Sequence, residues 1–341
     1  MALDVLTCIN GRQNRRSKLP ARSLVGVELM STILVVIDPD EGEHAGLNRI
    51  RALPIDAADF QVELYVERFS TTLRNRLMSS SVRHKVPTQT ANQKLAWLEM
   101  LVQPMRNEGY SIKTAVVVFD CLFEAIIQSA ERLHVDYIFK PLRQHGFLRR
   151  ALFSASDWNL VRCSPTPLLL AGHAYPIRGK PVIAAVDVAA EDQVHQELNQ
   201  IVLAQARQLA KMLGSTVYLV SAFSLSAYAG ASPTTDPLAY KVIFLQHKNQ
   251  LKAAQHIAKQ YEITENQVYV REGAADRVIK DYAQELDAGV IVLGTVARSG
   301  ISGLFIGNTA ESVMEHTQSD VVVVKQADFI SPIRSVGSTA V

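Results

Sequence analysis

The segment AGVIVLGTVARSGISGLFIGNTAE, residues 288–311, begins as a buried strand and ends as a helix. Between the two, Gly294, Gly300, Gly303 and Gly307 are spread over small residues. Glycine costs conformational entropy, so it is kept where positive φ is needed or where something approaches the backbone closely. A helix beginning at Asn308 would offer unpaired N–H groups and a partial positive charge, which suits a phosphate. Gly307 would leave room for the anion, Asn308 and Thr309 would donate hydrogen bonds, and Arg298 would supply a countercharge. The alternative is structural: Asn308 as an ordinary N-cap with Glu311 at N3, and the other glycines allowing a tight crossing.

Working outward, the chain repeats itself. TILVVIDPD (32–40) resembles PVIAAVDVA (181–189), each a β-branched strand ending on an aspartate, Asp38 or Asp187. IIQSAERLHVDYIF (126–139) aligns without gaps onto IKDYAQELDAGVIV (279–292), and CSPTPLLL (163–170) onto HTQSDVVV (316–323). Each copy alternates strands with helices. In the second, VIAAV (182–186) precedes a helix with Val194, Leu198, Ile201, Leu209 and Leu213 on one face and Gly214 at its end. TVYLVSAF (216–223), a Ser/Gly/Pro-rich insertion, a helix over 238–261, QVYV (267–270), a helix over 275–286, VIVL (290–293), a helix over 308–316 and VVVV (321–324) follow. Strands apolar on both faces and separated by helices predict parallel sheets covered on both sides. The fold class is α/β: two tandem doubly wound, Rossmann-like parallel-sheet domains. Such sheets bind ligands beyond strand carboxyl ends where strand order reverses, and Asp38, Asp187 and the 294–307 loop all fall at such ends.

Composition excludes several functions. The chain has 341 residues, 48% of them hydrophobic, enough for two domains, and no apolar run approaches the roughly 18 residues that span a bilayer. Its net charge is +2, with +3 in residues 1–29, so residues 30–341 carry −1. A body without basic excess argues against general nucleic-acid binding. Three separated cysteines and nine scattered histidines give neither a disulfide framework nor a metal site. No GxSxG, Walker A or CxxC motif occurs, so no catalytic residue is expected.

The spacing Gly294-x2-Ala297-x9-Gly307-Asn308 resembles the nucleotide loop of the universal stress protein family, Gly-x2-Gly-x9-Gly-(Ser/Thr). Ala297 and Asn308 are its two departures. The resemblance runs over 32–325, and VVIDP (35–39), FEAII (123–127) and SDWNLVRCSPTP (156–167) make it similar to the tandem E-type members in bacteria. It implies a cytoplasmic, non-catalytic protein that supports survival under stress, including DNA-damaging agents. The implied cofactor-binding residues are Asp187 at the nucleoside and Gly294, Arg298, Gly307, Asn308 and Thr309 at the phosphates of ATP or a related nucleotide. A weak ATPase, or a scaffold or apolar-ligand protein with a vestigial loop, stays open as an alternative. In the first copy Pro141, Gln144 and Ser154 replace the loop residues, so that copy is not expected to bind nucleotide in the family manner.

Family monomers pair through their last strands. LLLA (168–171) and VVVVK (321–325) would therefore join the copies as an intramolecular pseudo-dimer, the whole being a monomer or homodimer. The expected organisation is a disordered leader (1–29), with Met30 as an alternative start, a first domain (30–172), a linker (173–180), a second domain (181–326) and a mobile tail (327–341).

Overall fold

The computed structural model describes residues 31–38, 44–67, 85–145, 148–172, 176–224, 237–296 and 306–333. In the first copy the strands are β1 (Ser31–Ile37), β2 (Ala58–Glu67), β3 (Ile112–Phe119), β4 (Tyr137–Pro141), β5 (Arg143–His145), β6 (Leu148–Leu152) and β7 (Leu168–Ala171). Its helices are α1 (Ala45–Arg51), α2 (Lys85–Asn107), α3 (Leu122–Leu133) and α4 (Ala155–Cys163). The second copy has β8 (Val182–Ala185), β9 (Val217–Phe223), β10 (Val268–Glu272), β11 (Val290–Thr295) and β12 (Asp320–Lys325). Its helices are α5 (Gln193–Leu213), α6 (Pro237–Lys259), α7 (Ala275–Glu285) and α8 (Asn308–His316).

One ten-stranded sheet runs through both copies in the order β10-β9-β8-β11-β12-β7-β4-β1-β2-β3. Every pairing of this sheet within a copy is parallel, and β5 pairs with β6 in a separate antiparallel ribbon. The copies meet through an antiparallel pairing of β12 with β7, with Val321 opposite Leu170 and Val323 opposite Leu168. The expected pseudo-dimer is therefore a single sheet, in which each copy covers an edge the other would leave exposed. Strand order reverses between β8 and β11 in one half and between β1 and β4 in the other, and these are the switch points at which doubly wound sheets hold ligands.

Side chains that alternate along the strands feed two cores. Ile33, Val35, Val182, Ala184, Val290 and Val292 pack under α1, α2, α5 and α6. Leu34, Val36, Ile183, Ile291 and Val323 pack under α3, α4, α7 and α8. Each core is continuous across both copies. The buried stripe of α5 is Leu198, Val202, Ala206, Leu209 and Leu213, closed by Gly214 in the left-handed region at φ 61°. Val194, expected on that face, is 43% exposed; it is the second residue of α5, before the buried stripe begins.

Polar contacts also join the copies. Arg49 of α1 grips Asp320 of β12 through two nitrogens, Nε to Oδ2 and Nη2 to Oδ1 at 2.9 Å, and both side chains are 1% exposed. Gly172 N–H donates to the same Oδ1 at 3.3 Å. Tyr137 donates to Gln205 Oε1 at 2.6 Å. After β12 the chain turns so that Phe329 lies 5.3 Å from Lys325 Nζ and Ile333 packs on the second core. The expected leader, part of the linker and the end of the expected tail lie outside the described residues.

Candidate functional site

β8 and β11 are neighbours, with Leu293 opposite Ala185, so Asp187 and the start of the glycine loop lie side by side at the switch point. Asn199 of α5 holds the aspartate's backbone from both sides: Asp187 N–H donates to Asn199 Oδ1 at 3.0 Å, and Asn199 Nδ2 donates to Asp187 O at 2.7 Å. Asp187 Oδ1 accepts from Ala189 N–H at 3.0 Å, a local turn of the kind aspartate readily makes. The side chain is exposed, and its Oδ2 makes no hydrogen bond among the described residues.

The glycines serve different ends. A Cβ on Gly294 would lie 2.5 Å from Leu198 Cγ, so its bare backbone lets α5 close on β11. Gly307 has φ +97°, and none of the described residues comes within 4 Å of where a Cβ would stand. It needs glycine for its conformation. It is also the N-cap of α8, with no side-chain cap bond. Asn308 is therefore the first helical residue rather than the cap, and Glu311 is at N4, which removes the capping-box alternative. Glu311 N–H bonds to Gly307 O at 3.0 Å, whereas the amides of the preceding turn have no intrahelical acceptor. Asn308 and Thr309 are exposed and Ile306 is buried at 3% exposure, so the turn is anchored behind by Ile306. Arg298 and Ala297 lie outside the described residues.

At the foot of the loop, Lys325 is 8% exposed and donates to Thr295 Oγ1 at 2.6 Å. Burial pulls its ammonium down to about 8, against the partial offset of the nearby Cys163. Nothing in the sequence marks this lysine except its place at the carboxyl end of a run of valines.

The first copy fills the matching position from within. Ser154 caps α4: its Oγ accepts from Asp157 N–H at 3.2 Å, and Asp157 Oδ2 accepts from Ser154 N–H at 2.8 Å. Asp157, 2% exposed, also pairs with Lys140 Nζ at 2.7 Å, and that nitrogen donates to Pro141 O at 3.0 Å. The helix end that could receive a phosphate thus holds the chain's own carboxylate, with its own cation. Pro141 ends β4 and Gln144 sits in the small β5–β6 ribbon that replaces the loop.

Each copy has a cleft among the described residues. One, of 490 Å³, lies between Val188 and α6. The other, of 400 Å³, is lined by His44, Asn48 and Arg51 of the first copy against Leu101 and Met105. Burial lowers the pKa of His44 despite the opposing field of Asp38. A serine–lysine–aspartate cluster joins α7 to α8: Ser312 donates to Asp276 Oδ2 at 2.7 Å, and Lys280 donates to both. The Ser312 hydrogen bond, then Lys280, hold the Asp276 carboxyl below its usual value, making it a poor base. Among the described residues no group of three His, Cys, Asp or Glu could hold a metal, and no helix is long and apolar enough to cross a membrane.

The model of the universal stress protein family matches residues 30–172 and again 180–325. The chain belongs to the universal stress protein family. Universal stress protein E of Escherichia coli K12 is 33% identical over 322 residues, covering 89% of this chain and 97% of that one. The universal stress protein E homolog of Haemophilus influenzae is 26% identical over 302 residues, 86% and 96% of the two chains. A solved structure of a functionally unknown protein from Pseudomonas aeruginosa PAO1 superposes with a TM-score of 0.68 at 29% identity, covering 88% of this chain and 94% of that one. This universal stress protein is thus a tandem, E-type member, as VVIDP, SDWNLVRCSPTP and the glycine loop suggested.

Proposed function

We propose that this tandem universal stress protein is a non-catalytic stress-response protein of the cytoplasm that binds ATP or a related nucleotide in its second copy. Through it the protein supports survival under stress, DNA-damaging agents included. The reading rests on one contrast between the copies. In the second, none of the described residues comes within 4 Å of where a Cβ on Gly307 would stand, and the amides of the first turn of α8 are unbonded within the helix. In the first, the equivalent helix end is occupied by Asp157 and Lys140. An open helix N-terminus at a switch point favours an anion, and Asp187 stands on the adjacent strand where a ribose hydroxyl could be met.

The phosphates would lie against the amides of Asn308 and Thr309 and the side of Gly307, with Arg298 as countercharge. Gly294 keeps the loop's origin close to α5, and Asp187 Oδ2 accepts from the nucleoside. A single-site role without turnover is supported by the described residues: Glu311 lies a turn inside the helix, and Asp276 is already engaged by Ser312 and Lys280. Calorimetric titration of the full chain with ATP tests the reading. One site per chain, lost in Gly307→Asp, is the expected result, with no phosphate released on long incubation. No heat on ATP addition, or unchanged affinity in the variant, would overturn it.

A further inference from the structure

The stretch PLAYKVIFLQHKNQLKAAQHIAKQY, residues 237–261, contains no aspartate or glutamate, although residues 30–341 as a whole carry −1. It forms α6 and its C-terminal turn. Lys241, Lys248, Lys252 and Lys259 are all exposed, and their spacings of seven, four and seven residues set them in one line along the helix. At the helical rise this line is about 27 Å long. Lys259 lies 3.9 Å from Glu265 Oε1, and no carboxylate among the described residues pairs with the other three. Two large apolar side chains stand in the same line. Phe244 and Leu245, between Lys241 and Lys248, are 64% and 47% exposed. The helix does not use them to hold its place: Ala254 and Ala258 are buried in the first core, Leu251 and Ile257 pack against it, and His247 Nε2 donates to Val270 O at 3.1 Å. α6 lies on β9 and β10, and β10 is an edge strand of the sheet, so the lysine line faces outward at the periphery of the molecule.

We infer that this outward line of α6 is a reversible docking surface for an anionic lipid bilayer, on which the helix lies in the plane of the headgroups with Phe244 and Leu245 turned toward the acyl chains. A basic helix face that also carries an aromatic and an aliphatic side chain has the composition of an interfacial helix. The lysine stems are long enough to follow the apolar groups downward while their ammonium groups stay among the phosphates. A nucleic acid would satisfy the four charges and leave Leu245 in water, whereas a bilayer accounts for both kinds of group. The line is straight and outermost, which suits an extended surface. Each lysine held close to an anionic leaflet strengthens binding by roughly fivefold, so four together favour it over a neutral one on the order of several hundredfold. The surface is separate from Gly307 and does not depend on nucleotide binding there.

Cosedimentation of the full chain with vesicles tests the inference. The vesicles are phosphatidylcholine alone, or equal parts of phosphatidylcholine and phosphatidylglycerol, and a short duplex DNA is titrated in parallel. Wild type should bind the mixed vesicles, leave phosphatidylcholine unbound, and be released by raised salt. Lys248→Gln combined with Lys252→Gln should weaken binding on the order of twentyfold, and Phe244→Gln about tenfold. All three positions are exposed, so circular dichroism should be unchanged in the variants. No binding to the mixed vesicles, equal binding to phosphatidylcholine alone, or an affinity that Phe244→Gln leaves intact would overturn the lipid assignment. Lysine-dependent binding of the duplex that exceeds binding to the vesicles would give the line to a nucleic acid and overturn it as well.

Discussion

Replacing Gly294 by alanine should cost fold stability through Leu198. The added methyl would stand 2.5, 2.6 and 2.9 Å from Leu198 Cγ, Cδ2 and Cδ1, all closer than carbon atoms approach without displacement. Leu198 cannot swing clear, because it is 6% exposed and belongs to the buried stripe by which α5 packs on the sheet. Overpacking of one methyl in such a setting costs about 1–3 kcal/mol. Leu198→Ala alone leaves a cavity and costs about 2–5 kcal/mol. In the double variant the new methyl enters the space the leucine has vacated, so the combined loss should fall short of the sum by about 0.5–3 kcal/mol. Urea unfolding followed by circular dichroism, with the slope checked to be equal in all four proteins, measures this coupling. Additivity within about 0.5 kcal/mol would refute the packing explanation for Gly294 and return that residue wholly to the ligand.

Three further outcomes follow from the same geometry. Asn308→Asp puts a carboxylate at the first position of α8, where the helix dipole favours it by about 0.3–1 kcal/mol, yet beside bound phosphates it repels by about 1 kcal/mol or more; raised thermal stability together with at least about fivefold weaker ATP binding is expected, and tighter binding would contradict the site. Asp320→Asn leaves Arg49 buried against a neutral group and should lower stability by about 3–5 kcal/mol, whereas Arg49→Met combined with Asp320→Leu should recover most of the loss; equal losses in denaturant titrations would refute the seam's account. Lys325, with a folded value of about 8 against an ordinary 10.5, binds protons more weakly folded than unfolded, so stability should rise as pH climbs from 8 to 10.5. Lys325→Met should exceed wild type by on the order of 3 kcal/mol at pH 7, the gap closing by pH 10.5; a gap independent of pH would show that the ammonium is not strained by burial.

Much of this was legible from the sequence because it depends on local pattern. The repeat, the β-branched strands and the helix at Asn308–His316 are written in periodicity, and pairing of LLLA with VVVVK follows from family resemblance. What was not legible depends on partners far along the chain. The fit of Gly294 against Leu198 joins positions nearly a hundred residues apart, and the Arg49–Asp320 clamp joins the two copies. Asn308 looked like an N-cap because its side chain suits one, but Gly307 takes the cap with its positive φ and shifts the helix frame by one residue. Asp157 stands in the sequence only as part of SDWNLVRCSPTP; its pairing with Lys140, on the facing strand end, makes it the filler of a helix terminus.

The antiparallel junction of β7 and β12 also bears on which other proteins this one can join. In single-copy relatives that pair through a last strand, that edge is a socket, and any two subunits with compatible edges can exchange. Here both sockets are filled within one polypeptide, at the high effective concentration that a short connection imposes, and Arg49 locks them with a buried charge pair. Dilution cannot separate the halves, and a single-copy subunit in the same cell finds the edges of β7 and β12 already taken. Confinement of this kind fixes one divergent half beside the other in every molecule, so the two are inherited and assembled as one unit.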